Sequence, residues 1–189
     1  MCKIIGIAGS PRRDGNSTTL LRQVLQGAEE SGAEAQIIYL NDLTFRGCQA
    51  CDGCVDTGEC TLKDELTPYY PKLRAADIWI LASPVYFDGV SGQTKLFFDR
   101  CRCFAMEVGN LKGKRRAAII LTYEDRPRDD YREIAQRLAN YFSWFGDFDT
   151  VELFVESRLG PADAASRRPE LLEKSQSLGH RLVMELKGG

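Results

Sequence analysis

Five apolar runs of strand length, separated by stretches of helical spacing, constrain this 189-residue chain more than any other feature. The runs cover 3–8, 36–40, 76–82, 116–122 and 150–155, and the third (Ala-Asp-Ile-Trp-Ile-Leu-Ala) is apolar enough for burial on both faces. Between them, 16–31 sets Leu20, Leu21, Val24, Leu25 and Ala28 at helical intervals. The stretch 92–104 turns Leu96, Phe97 and Phe98 inward, 129–145 carries Ile134, Leu138, Tyr141 and Phe142, and 169–186 closes the chain as a helix. Strands separated by helices pair in parallel through right-handed crossovers. The expected architecture is therefore α/β, a doubly wound three-layer sandwich with a five-stranded parallel sheet in the order 2-1-3-4-5. One domain over 1–189 is expected, interrupted by a cysteine-rich insertion at about 45–62 that has no regular period.

The chain has seven cysteines and one histidine. His-rich zinc sites are excluded, no His-Glu-x-x-His motif occurs, and a His-dependent triad would have only His180 to use. The net charge of −2 gives no basic excess for nucleic acid or an anionic membrane. No run approaches the roughly 18 apolar residues that cross a bilayer. The first apolar run is too short for a signal peptide and breaks at Gly9-Ser10-Pro11. A cytoplasmic protein is expected, with reduced thiols, so clustered cysteines point to metal or redox chemistry rather than to disulfides.

Three constellations can carry chemistry. Gly9-Ser10-Pro11-Arg12-Arg13-Asp14-Gly15-Asn16-Ser17-Thr18-Thr19 joins the first strand to the first helix, at the carboxyl edge where doubly wound sheets bind ligands. It lacks both the Gly-x-Gly-x-x-Gly spacing and a Gly-Lys-Ser/Thr ending. Hydroxyls, an amide, a guanidinium and free helix-start N–H groups suit a terminal monophosphate, and the same residues also make an ordinary capped turn. Ser83-Pro84-Val85-Tyr86-Phe87-Asp88-Gly89-Val90-Ser91-Gly92 follows the third strand and could cover a flat ring, or could simply pack its aromatics. Together the two loops describe a mononucleotide lying across the sheet's switch point.

The third constellation is Cys48-x2-Cys51-x2-Cys54-x5-Cys60. Thiols at every third position on a glycine-bearing loop can converge on one small object. The spacing admits a [4Fe–4S] cluster, a zinc ion, or thiols without metal. Cys2, Cys101 and Cys103 read as bystanders, the last two as buried free thiols. Lys112, Lys114, Arg115 and Arg116 read as a solvated turn, 124–132 as an exposed helix start and His180 as a surface residue.

Gly-Ser-Pro-Arg-x-Asp-Gly-Asn-Ser, the four-cysteine run and Ser-Pro-Val-Tyr-Phe-x-x-Val-Ser-Gly-x-x-Lys-x-Phe-x-Asp-Arg together resemble the iron–sulfur flavoprotein branch of the NADPH-dependent FMN reductase family, whose fold is flavodoxin-like. The resemblance runs from Lys3 to about Leu121. It implies FMN, with Ser10, Arg12, Asn16, Ser17 and Thr18 on its phosphate. Pro84, Val85, Tyr86 and Phe87 would line the isoalloxazine, with Asp88 nearby. Thr122, Tyr123 and Glu124 would form a third contact loop, although this sequence lacks the glycine-rich form of that loop. The resemblance further implies that Cys48, Cys51, Cys54 and Cys60 ligate a [4Fe–4S] cluster, and that the protein is a homodimer or homotetramer.

The function so implied is electron transfer between a reduced donor, NAD(P)H or a ferredoxin-type carrier, and a small-molecule or protein acceptor. No side chain is nominated as catalytic, because the flavin carries the chemistry. NAD(P)H as co-substrate would stack transiently on the exposed flavin. Two other functions compete. One is a cluster-free NAD(P)H-dependent FMN or quinone reductase with structural or zinc-bound cysteines; the other is a non-enzymatic thiol redox sensor that binds no flavin.

Overall fold

A computed structural model describes residues 1–124 and 131–188. The strands are β1 (Lys3–Ala8), β2 (Glu34–Tyr39), β3 (Ile78–Tyr86), β4 (Gly89–Val90), β5 (Leu111–Thr122) and β6 (Gly146–Glu156). The helices are α1 (Asn16–Glu30), α2 (Cys54–Thr57), α3 (Tyr70–Ala75), α4 (Gly92–Arg100), α5 (Arg132–Phe145) and α6 (Pro169–Gly188). The main sheet runs β2-β1-β3-β5-β6 with every pairing parallel. That is the expected order 2-1-3-4-5, enlarged by β4, a two-residue strand that pairs antiparallel with the end of β3.

β1 and β3 are central and covered on both faces, which is why their sequences are continuous apolar runs rather than alternating ones. On one face α1 and α6 pack over Ile4, Ala8, Ile78, Ile80 and Ile120. On the other, α3, α4 and α5 enclose an aromatic core around Trp79, which meets Phe104, Phe142, Phe145 and Phe148 ring to ring. The helix expected over 92–104 divides into α4 and a 3-10 turn at Cys101–Phe104. The expected start of α5 at 129 lies outside the described residues, as does most of 124–132.

Half of the basic run departs from the solvated turn that its charges suggest. β5 begins at Leu111, and Arg115 is buried in it, donating from Nη2 to the carbonyls of Arg74 (2.8 Å) and Lys112 (3.1 Å). Arg116 pairs with Glu185 on α6 at 2.5 Å. Backbone carbonyls at the strand edge need donors, and a guanidinium on a long stem can reach them from inside the strand. His180 is partly exposed, with Nδ1 2.8 Å from the Ser31 hydroxyl and Nε2 3.1 Å from Glu30. Among the described residues, no helix is long and apolar enough to cross a membrane.

Candidate functional site

The loops after β1 and β3 are fastened to each other by short polar side chains. Ser91 Oγ donates to the Gly9 carbonyl (2.6 Å) and lies 2.8 Å from Thr94 Oγ1, while the Ser83 hydroxyl accepts from the Ser91 N–H (3.1 Å). All three hydroxyl residues are fully buried. Gly9 admits this arrangement because a Cβ there would overlap the Thr94 hydroxyl. Two segments far apart in sequence thereby form one rigid rim at the carboxyl ends of β1 and β3.

Above that rim lies a cleft of about 260 Å³, lined by Ser10, Arg12, Gly15, Asn16 and Ser17 from the first loop, Pro84, Val85 and Tyr86 from the second, and Thr122, Tyr123 and Glu124 after β5. Leu159, Gly160 and Ala162, after β6, close the remaining side. The N-terminus of α1 opens into it without a side-chain cap: the N-cap is Gly15, and the first turn holds no acidic residue. The alternative of an ordinary side-chain-capped turn is thus not realised. Ser17 is 1% exposed and its Oγ is buried without a hydrogen-bond partner, although buried hydroxyls ordinarily find one. Ser10 Oγ accepts from the Arg12 N–H (3.0 Å), which shapes the loop, and the Arg12 side chain is exposed at the mouth. Free helix-start N–H groups, an orphaned buried hydroxyl and a guanidinium form a donor set suited to a phosphate dianion.

The other residues implied by the resemblance are placed differently. Thr18 is buried beneath the loop, its Oγ1 donating to the Arg12 carbonyl (3.3 Å). The Asn16 side chain points to the segment after β6 rather than into the cleft. Phe87 and Asp88 form the tip of the β3–β4 hairpin, both with left-handed backbone (φ 47° and 57°). Phe87 is fully exposed off the cleft, and Asp88 accepts from the Tyr131 hydroxyl (2.6 Å). With Tyr86 and Phe87 exposed, the loop does not bury its aromatics. The segment at 159–162 went unnominated in the sequence. Its one signal is the Gly160-Pro161 turn just past the fifth strand, on the edge where ligands bind.

Cys48, Cys51, Cys54 and Cys60 line a second, small cavity together with Gln49, Thr61, Leu62, Arg100, Arg102 and Cys103. All four are free thiols. The loop reaches this form through left-handed backbone at Ala50 and Asp52 (φ 50° and 56°), and the Ala50 N–H donates to Cys48 Sγ (3.4 Å). The Thr61 hydroxyl, 3.2 Å from Cys51 Sγ, holds that thiol below its ordinary pKa. Arg102 approaches Cys54 Sγ at 3.7 Å while paired to Asp52 at 2.6 Å. Cys101 and Cys103 are buried, as expected. Burial raises both thiols, Cys103 to about 12, yet Cys103 belongs to the cavity wall and is no bystander. Among the described residues, no three His, Cys, Asp or Glu side chains gather as a single-ion site requires. What the structure offers there is four thiols around one small cavity, with the Arg102 guanidinium beside Cys54.

The family model for NADPH-dependent FMN reductase matches residues 2–145. An iron–sulfur flavoprotein of Methanocaldococcus jannaschii is 33% identical over 98% of this chain and 97% of its own length. An iron–sulfur flavoprotein of Methanosarcina thermophila is 36% identical over 62% of this chain and 61% of its own. Among solved structures, the NAD(P)H:quinone oxidoreductase of Methanothermobacter marburgensis superposes with a TM-score of 0.71 at 16% identity, covering 96% of this chain and 98% of that one. That last likeness concerns the fold alone.

Proposed function

Because this chain belongs to the NADPH-dependent FMN reductase family, in its iron–sulfur flavoprotein branch, and is a flavin-dependent oxidoreductase, we propose that it moves electrons between a reduced donor and an acceptor through FMN in the cleft and a [4Fe–4S] cluster on Cys48, Cys51, Cys54 and Cys60. The donor would be NAD(P)H or a ferredoxin-type carrier. FMN, when bound, supplies exchange between two-electron and one-electron partners, and the cluster supplies single-electron capacity.

The observation that carries the flavin reading is Ser17 Oγ, a buried hydroxyl without a partner beside an uncapped helix start. In this reading Ser17, Ser10, Arg12 and the first N–H groups of α1 hold the phosphate. Pro84, Val85 and Tyr86 cover one ring face, with Thr122 and Tyr123 at its edge. The cluster reading is supported by four thiols around one cavity, with Arg102 placed to offset the negative charge that thiolates bring. We read the whole chain as one FMN-binding domain with the cysteine loop inserted in it, assembling as a homodimer or homotetramer.

A visible spectrum with iron analysis on anaerobically prepared protein tests both parts. A flavin band with about four irons per chain is expected. A flavin band without iron, even after anaerobic reconstitution, would replace this reading with the cluster-free FMN or quinone reductase. A colourless protein that takes up no FMN would overturn both.

A further inference from the structure

Asn16 belongs to the loop whose backbone faces the cleft, yet its side chain is fully engaged elsewhere. It is 8% exposed. Nδ2 donates to two carbonyls, Leu159 and Pro161, at 2.7 Å each, and Oδ1 accepts from the Ala165 N–H at 2.8 Å. These bonds span more than 140 residues of sequence. A primary amide has two N–H donors, and here both are taken by backbone carbonyls. A phosphate needs donors, so in this arrangement the Asn16 side chain has none left to offer one. The segment it holds carries Leu159, Gly160 and Ala162, which line the cleft.

The segment between β6 and α6 is a run of turns with bonds of its own, the Ala164 N–H on the Pro161 carbonyl (3.0 Å), the Ser166 hydroxyl on the Asp163 carbonyl (2.7 Å) and Arg167 paired to Asp163. Backbone bonds tie its start to the loop after β5, with the Arg158 N–H on the Glu124 carbonyl (2.9 Å) and the Leu159 N–H on the Tyr123 carbonyl (3.0 Å). Buried Leu159 and Ala165 anchor its two ends in the α1–α6 core. Between those anchors, the Leu159 and Pro161 carbonyls and the Ala165 N–H close on one amide.

We infer that Asn16 is a positioning residue that clamps the 159–165 segment as a wall of the cleft, and that its side chain does not ligate the cofactor's phosphate. The inference rests on the reading that the cleft takes FMN. It makes affinity for the whole flavin, rather than for its phosphate, depend on this amide. Riboflavin has the same ring system without the phosphate, so the two ligands separate a clamp from a phosphate contact.

The test compares Asn16→Ala with the unaltered protein. It measures FMN and riboflavin binding to flavin-free protein by flavin fluorescence, and tryptic cleavage at the exposed Arg158 and Arg167 that flank the segment. Loss of the clamp should weaken both flavins by the same factor, about tenfold, and speed cleavage at both arginines. Weaker FMN binding with riboflavin and proteolysis unchanged would make Asn16 a phosphate ligand and overturn the proposal. No change in any reading would overturn it as well. If the unaltered protein binds neither flavin, the reading of the cleft fails, while the cleavage rates still decide whether Asn16 holds the wall. Should Asn16→Ala not fold, Asn16→Ser replaces it, because a hydroxyl offers a single hydrogen and cannot bond both carbonyls.

Discussion

Arg100 and Asp64 form an ion pair at 2.6 Å, with the arginine side chain wholly buried and the aspartate 14% exposed. The same guanidinium donates to the Arg46 carbonyl at 2.7 Å, and the same carboxylate accepts from the Arg46 N–H at 3.3 Å. Arg46 lies just before Cys48 and Asp64 just after Cys60. One residue at the end of α4 therefore closes the neck of the cysteine loop, and Tyr70 completes the group through its hydroxyl, 3.2 Å from Arg100 Nε.

Arg100→Leu should cost about 3–5 kcal/mol, the usual cost of breaking a buried pair from one side. It should also speed the reaction of Cys48, Cys51 and Cys60 with a thiol reagent. Thermal or denaturant melts and thiol-labelling rates check this. An unaltered melt would show that the pair does not hold the neck.

The same pair predicts an acid limb of stability. Burial works to raise the Asp64 carboxyl, but hydrogen bonds from Arg100 and from the Arg46 and Leu66 N–H groups outweigh it and hold its pKa below the usual carboxylate value. A carboxyl depressed in the folded state adds stability that is complete above its unfolded value, about 4, and is lost as pH falls through the lower folded value. Denaturant midpoints measured downward from pH 5 should decline more steeply for the unaltered protein than for Asp64→Asn.

Ser17→Ala should act oppositely on free and flavin-bound protein. Removing a buried hydroxyl that has no partner leaves the free protein's stability unchanged or slightly higher. FMN binding should weaken about tenfold while riboflavin binding holds, if the hydroxyl meets the phosphate as proposed. Melts with and without each flavin measure both effects.

Gly27 and Gly179 set the distance between α1 and α6. A methyl at Gly179 would overlap the Val24 carbonyl oxygen, and one at Gly27 would overlap the Gln176 carbonyl oxygen. Because backbone rather than a flexible side chain stands in the way, Gly179→Ala should destabilise by about 1–3 kcal/mol or more, despite alanine's better helix propensity. A denaturant titration checks the sign.

Cys51→Ser should reduce the iron retained after anaerobic reconstitution and leave flavin content unchanged, because the thiol cavity and the cleft share no lining residue. Iron and flavin assays on one preparation decide this. Loss of flavin together with iron would show that the loop supports the whole fold.

Much of this protein is local and therefore legible in one dimension. The β1 and β3 runs, the spacing of Leu20, Leu21, Val24 and Leu25, and the punctuation at Gly9-Ser10-Pro11 follow from backbone geometry and burial, which act over a few residues at a time. These were enough for the strand order, for the edge at which a ligand would lie and for the loop that gathers four thiols. The tertiary structure decided which atoms remain available once distant segments meet. Asn16 and Ser17 are adjacent polar residues and look equivalent in the sequence. Folding brings Leu159, Pro161 and Ala165 onto the first and nothing onto the hydroxyl of the second. Arg100, a charged residue at the end of a helix, turns inward because the neck of the cysteine loop presents a carboxylate and a carbonyl to it. Hydrogen-bond satisfaction is settled by partners far away in the chain, and no period or motif encodes where those partners arrive.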